Sequence, residues 1–299
     1  GEVYKWGKGK IKFDEYSTKF RKVSAEEHLK NTKERELKLK NDHIKKENEY
    51  SEAGKKAQYI FDKIPSQNRD ILGTNHLYLK SKGLEGAHRL KEINFSRFDI
   101  KDEQTGKKVK NIQMIIPLKN IKGAIESFQY INSHDHKKGF MKGGRKLGNF
   151  CIIGANNINN SQKIYFAEGV ATSASIHAAT KCPVVVCFDA GNLDSVIKQI
   201  QSKYPTKTFI IAADNDQQKG KINTGLVKAQ MAAQKYGVHV LTPAFSTKDI
   251  LKYQEISKST KHPSDFNDMH QIHGLRQVSN KLKVKDEKHQ SKDFIKGGL

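Results

Sequence analysis

Between residues 163 and 241, short uninterrupted apolar runs alternate with longer segments of mixed polarity. The runs 164–167, 184–188, 209–213 and 238–241 read as strands, and 170–180, 193–202 and 223–236 as the helices between them. Strands that are apolar throughout must be covered on both faces, so the alternation predicts parallel βαβ units flanked by helices. A polar loop containing Pro243 and Pro263 is expected next, then a last helix over 265–273, and beyond Gly274 a mobile lysine-rich tail.

Upstream the pattern changes. Residues 1–20 alternate aromatics with lysines and predict a short β-ribbon, whose aromatics either bury one another or stack on bases. From Ser24, an N-cap with Glu27 at the capping-box position, a long solvated helix is expected to residue 59, its apolar positions (Leu29, Leu37, Leu39, Ile44) sparse. A helix over 58–63 should stop at Pro65, and 76–83 should form a short helix ended by glycine. Residues 111–118 and 125–131 read as strands of a hairpin turning at Asn120 and Gly123, and 150–153 as another strand.

The chemistry gathers at strand ends. Glu168 closes the first apolar strand, Asp214 and Asp216 close the third with Asn215 between them, and Asp265 and Asp268 open the last helix. Ligands of open α/β sheets collect beyond the carboxyl ends of the strands. Three acidic clusters converging there repel one another unless cations intervene, so a divalent-metal site is expected. Turn chemistry alone also explains Asp-Asn-Asp, but an EF-hand does not, because Lys219 and Gly225 fall where it needs Gly and an acid. The loop Gly143, Gly144, Arg145, Lys146 is either a phosphate-binding turn or a plain basic surface turn.

Charge adds a partner. Lys and Arg number 54 against 32 Asp and Glu, for a formal charge of +22 over 299 residues, which implies a polyanion, with nucleic acid ahead of a membrane surface. No apolar run approaches the roughly 20 residues of a membrane span. The cysteines Cys151, Cys182 and Cys187 form no CxxC pair, and with no apolar leader a reducing cytoplasm is expected. The chain begins at Gly1 and reads as a fragment of a longer protein. The histidines His134, His136, His270 and His273 lack the companions of a zinc site, and no Walker A sequence occurs.

The ordered set Glu168-Gly169, Asp214-Asn215-Asp216 and Asp265 resembles the TOPRIM domain of DNA primases, topoisomerases and some nucleases. With the neighbouring phrases at 168–175, 183–192, 143–148, 265–270 and 76–84, the chain resembles the TraC-type primases of conjugative plasmids and related phage proteins. The resemblance implies an α/β TOPRIM domain at 161–275, a parallel βαβ sheet covered by helices. Before it would come a mixed α+β primase-like subdomain at 57–160 and a basic arm of ribbon and long helix at 1–56, with a basic tail at 276–299 after it. It implies that Glu168 acts as general acid/base or metal ligand and that Asp214 and Asp216 chelate Mg²⁺ or Mn²⁺, with Asp265 and Asp268 completing the cluster. Gly143, Gly144, Arg145, Lys146 and Lys219 would hold nucleotide or DNA. The implied activity is synthesis of short RNA primers from NTPs on single-stranded DNA, in plasmid or mobile-element replication or conjugation. A replicative helicase or conjugation proteins would be partners, and no membrane is involved. Many primases carry a further acid where this chain has Thr172; Asp189 either compensates or serves a helix start. A TOPRIM nuclease and a non-catalytic single-strand-binding protein with a degenerate TOPRIM are the rival readings.

Overall fold

The computed structural model describes residues 5–6, 9–10, 25–101, 106–216 and 223–283. It comprises two units, Gly1–Glu49 and Tyr50–Leu299. In the first, strands β1 (Lys5–Trp6) and β2 (Gly9–Lys10) pair antiparallel. The rest of the expected ribbon, and the cap at Ser24, lie outside the described residues. Helix α1 (Ala25–Asp62) begins in this unit, and its sparse apolar side chains Leu29, Leu37, Leu39 and Ile44 are all exposed.

In the second unit the end of α1 buries Ala53 and Ala57. The separate helix expected at 58–63 is the last turn of α1, which stops short of Pro65 because a proline carries no amide to continue it. A π-helical turn (Arg69–Gly73) and helix α2 (Leu77–Ser81) follow, with Gly83 in the left-handed region at φ 62°. Strands β3 (Asn94–Lys101), β4 (Lys108–Lys119), β5 (Ile125–Asn132) and β6 (Lys138–Phe140) form an antiparallel sheet in that order. The expected hairpin is β4–β5, and the Asn120 side chain closes its turn by accepting from the amides of Lys122 and Ala124. β3 and β6 were not expected: β3 alternates imperfectly, and β6 is too short to leave a periodic signal.

The second sheet holds β7 (Cys151–Ile153), β8 (Lys163–Ala167), β9 (Val184–Val186), β10 (Thr208–Ala212) and β11 (His239–Leu241) in the order β11-β10-β8-β9-β7. All pairs are parallel except β7–β9, so the sheet is mixed at one edge. The boundary expected between residues 160 and 161 falls inside the compact unit, and β7, before that boundary, belongs to this sheet. Lys119 and Phe150 exchange backbone hydrogen bonds of 2.8 and 3.0 Å and so connect β4 to the start of β7.

Alternate residues of β8 explain its continuous apolar run. Ile164 and Phe166 face a core with α4 (Leu193–Lys203) and α5 (Thr224–Tyr236). Tyr165 and Ala167 face α3 (Val170–Thr180), α7 (Phe266–His273) and α8 (Leu275–Lys281). Two expectations need correction here. The polar loop after β11 contains helix α6 (Thr247–Ser257), opened by a capping box of Ser246 with Asp249. The region taken as the start of a mobile tail is α8, because Val278 and Leu282, few as its apolar residues are, both reach the core. Among the described residues, no helix is long and apolar enough to cross a membrane.

Candidate active site

Each acidic residue is placed by the chain that follows a strand. Glu168 and Gly169 separate β8 from α3. The Glu168 carboxylate accepts a hydrogen bond from the Ala190 amide, and a Cβ on Gly225, in the first turn of α5, would stand 3.2 Å from its Oε1. Burial, then the charges of Asp189 and Asp216, raise its pKa.

Asp214 and exposed Asp216 follow β10. Between them Asn215 donates its amide to the Ser264 carbonyl at 2.7 Å and its side chain to the Pro243 carbonyl at 3.2 Å. These bonds tie the Asp-Asn-Asp segment to the loop that carries Asp265. Asp214 is strongly perturbed. Burial, followed by Asp265, Glu168, Asp216 and Asp268, pushes its pKa up to about 8, and its Oδ1 is buried with no hydrogen-bond partner.

Asp265 caps α7 and shares a reciprocal capping box with Asp268. Its other oxygen, Oδ2, accepts from the Thr172 hydroxyl at 3.0 Å. Burial and Asp268 raise its pKa against the opposing effects of the Asp268 amide, Lys82 and Thr172. Asp268 is more committed: its Oδ2 accepts from the Ser264 amide at 2.8 Å, Lys82 Nζ lies 3.9 Å from Oδ1, and Tyr253 of α6 hydrogen-bonds to the carboxylate.

The glycine-rich loop docks beside these acids. A Cβ on Gly144 would stand 2.6 Å from Ser127 Cβ, and Gly143 and Gly148 take φ values of 76° and 78°. Buried Asn192 accepts from the Gly148 amide and donates to the carbonyls of Asn149 and Cys187. Lys146 pairs with Asp189, and the Arg145 guanidinium lies 4.6 Å from the Tyr50 ring centroid. Asp189 also accepts from the Asn192 amide, so it serves the turn into α4 and forms a half-exposed ion pair with Lys146. Lys219 lies outside the described residues.

Sequence reasoning missed the cationic side. Lys82, after α2, faces Asp268, while Lys138 on β6 is influenced by Asp265 and Asp214. Partial loss of hydration lowers the Lys138 pKa against the pull of those two acids. Asn267, buried between Asp265 and Asp268, fixes Lys82 by donating to its carbonyl at 2.9 Å and to Ser175 Oγ at 3.0 Å. Lys82 lies within the 76–84 phrase, whereas a three-residue strand gave no signal for Lys138.

Among the described residues, no three His, Cys, Asp or Glu side chains stand close enough to cage a metal ion. The donors are all hard carboxylate oxygens, and one is buried without a partner. That set fits Mg²⁺, which is commonly held through one or two carboxylates and keeps waters and substrate oxygens as its other ligands. The histidines are otherwise engaged: His270 Nδ1 is 3.1 Å from Ser175 Oγ, and His273 Nε2 is 2.9 Å from Asp249.

The carboxylates therefore stand where the parallel strands of a helix-covered α/β sheet end, and residues 163–275 match the Toprim domain family. Two curated relatives, both DNA primase TraC of Escherichia coli, are 32% and 30% identical over 173 residues, or 56% of this chain. The chain spans 15% and 11% of their lengths. Among solved structures, the RNA polymerase domain of Mycobacterium tuberculosis primase DnaG matches with TM-score 0.44 and 11% identity, over 79% of this chain and 82% of that one. The primase fragment of the bacteriophage T7 primase-helicase matches with TM-score 0.43 and 15% identity, over 69% of each chain.

Proposed function

We propose that this chain is a DNA primase core that makes short RNA primers on single-stranded DNA by metal-dependent nucleotidyl transfer, in plasmid or mobile-element replication or conjugation. The observation that carries the reading is Asp214, a half-buried carboxylate with one buried, partnerless oxygen, crowded by Asp265, Glu168 and Asp216. Such crowding is costly unless a cation relieves it. One or two of Glu168, Asp214, Asp216 and Asp265 would hold Mg²⁺ or Mn²⁺, with waters and substrate oxygens as the remaining ligands. The ion would supply charge stabilisation to the attacking 3′-hydroxyl and departing pyrophosphate.

The remaining roles belong to the chain itself. Glu168, its pKa raised, is suited to accept a proton from the attacking hydroxyl and release it afterwards. Asp268, committed to two backbone amides and Lys82, orients Asp265 and the loop at Ser264. Thr172 provides a neutral donor to Asp265, so α3 joins the site without adding another negative charge. Arg145, Lys146 and Lys219 would contact phosphates of nucleotide or template, and the basic balance of the chain would make template binding fall with salt. The relatives' name, DNA primase, supports the reaction class.

The test is incubation with single-stranded DNA, NTPs and Mg²⁺ and a search for short labelled RNA. Wild type should yield it, and Asp214→Ala with Asp216→Ala should not. Equal product from both would remove the site assignment. Cleavage of labelled DNA without NTPs would identify a nuclease instead, and tight binding in EDTA with no product a non-catalytic binder.

A further inference from the structure

The edge strand β6 carries a lysine, a glycine and a phenylalanine whose directions are set by the sheet. Gly139 lies opposite Tyr130, and a Cβ there would stand 2.9 Å from Tyr130 Cε1. Tyr130 packs with Ala57, Ile125 and Phe128, on the α1 side. Lys138 lies opposite Ile131, whose side chain belongs to the core shared with Val170, Ala171 and Ala174 of α3. Successive strand residues point to opposite faces, so Lys138 and Phe140 share the face turned toward α3 and the carboxylates.

The contacts agree. Lys138 Nζ lies 5.0 Å from the Tyr78 ring centroid and interacts electrostatically with Asp265 and Asp214. Phe140 remains 36% exposed, and its ring meets Phe188 edge-on at 5.9 Å. Lys146 Nζ lies 5.3 Å from the centre of the same ring. Phe188 has φ 69°, a left-handed conformation that is unusual for a bulky side chain and clusters at functional sites. A partly exposed ring with Lys146 over it and Lys138 two residues away on the same strand face, beside an acidic cluster, resembles how single strands are held: bases stack on the ring while cations meet the flanking phosphates.

We infer that Phe140, backed by Phe188 and flanked by Lys138 and Lys146, is a stacking platform for a base of the single-stranded template at the mouth of the acidic site. This rests on the primase reading only in calling the strand a template. The assay is fluorescence anisotropy of a labelled oligothymidylate, and of the same oligonucleotide with abasic sites, in EDTA without NTPs. Its result stands whether or not the chain makes primers.

Wild type should prefer the base-containing strand about tenfold. Phe140→Leu, which keeps an apolar side chain but no ring, should lose the preference, and Phe140→Tyr should keep it. Lys138→Gln should weaken binding of both strands alike and reduce the slope of log affinity against log salt by about 0.7. Unchanged preference in Phe140→Leu, with circular dichroism matching wild type, overturns the inference. Displacement of the oligonucleotide from wild type, but not from Phe140→Leu, by a nucleoside triphosphate at equal concentration would assign the ring to the incoming nucleotide and overturn the template assignment.

Discussion

The two sheets of the second unit contribute opposite charges by different means. The five-stranded sheet delivers Glu168, Asp214 and Asp216 directly beyond the ends of β8 and β10, with Asp265 and Asp268 capping a helix packed on the same sheet. The four-stranded sheet delivers Lys138 and Phe140 from an edge strand, where the side chains stay exposed. Anions are thus crowded and partly buried, while cations are displayed. Disturbing the first sheet should alter chemistry or the fold itself, whereas disturbing the second should alter docking by smaller amounts.

The largest effect should come from the most crowded acid. Asp214→Asn preserves shape but removes the charge, and primer synthesis should fall by roughly three orders of magnitude, the scale of several kcal/mol of charge stabilisation. Comparable loss from Lys138→Gln would show that the two sheets are not divided as described.

Stability should separate them next. Phe166 is fully buried between β8 and the α4–α5 layer, with its ring centroid 5.9 Å from that of Phe209. Phe166→Ala should cost about 3–5 kcal/mol in urea denaturation. Phe140→Ala, on the exposed edge, should change stability by less than about 1 kcal/mol.

His76 tests the four-stranded side from within. It is fully buried, its Nε2 lies 3.2 Å from the Ile131 carbonyl, and burial lowers its pKa from 6.5 to about 4. Because the unfolded chain binds a proton more readily, the contribution of neutral His76 is present above pH 6.5 and lost as pH falls from there to about 4. The loss is on the order of 3 kcal/mol. It should show as a fall in wild-type stability relative to His76→Gln across that window, and parallel curves would mean His76 titrates normally.

The glycine-rich loop links the sheets, since Gly144 rests on Ser127 of β5 while Lys146 reaches Asp189. Gly144→Ala would press a methyl group into Ser127 and should cost about 1–3 kcal/mol, with stability recovered by adding Ser127→Gly. Failure of that rescue would mean the loop is not held by this contact.

Legibility followed the same division. Uninterrupted apolar runs marked β8, β9 and β10 because both faces of those strands are covered, whereas β11, with His239 exposed, sits at the sheet edge; the acidic residues were visible because they interrupt such runs at their ends. In the four-stranded sheet only the hairpin gave a periodic signal; β6, with Gly139 where Tyr130 packs, gave none. Helix α6 hid among polar residues because Tyr253 is its only buried residue. Helix α8 hid because Val278 and Leu282 are too few to mark a face. The pairing of Thr172 with Asp265 joins residues far apart in sequence, and no local pattern encodes it.

That pairing gives the smallest expected effect and the finest test. Thr172 is buried, and its hydroxyl supplies Asp265 Oδ2 with a donor while the helix cap occupies Oδ1. Thr172→Val keeps the shape and removes only the donor, leaving the carboxylate charge less well satisfied. The cost should be about 1–2 kcal/mol in urea denaturation, with Thr172→Ser retaining most of it. Thr172→Asp should cost more in EDTA, because it sets a further negative charge against Asp265 and Asp214, and added Mg²⁺ should recover part of that loss. If Val and Asp variants behave alike with and without Mg²⁺, Asp265 is fixed by its capping box alone and the neutral donor is incidental to the acidic cluster.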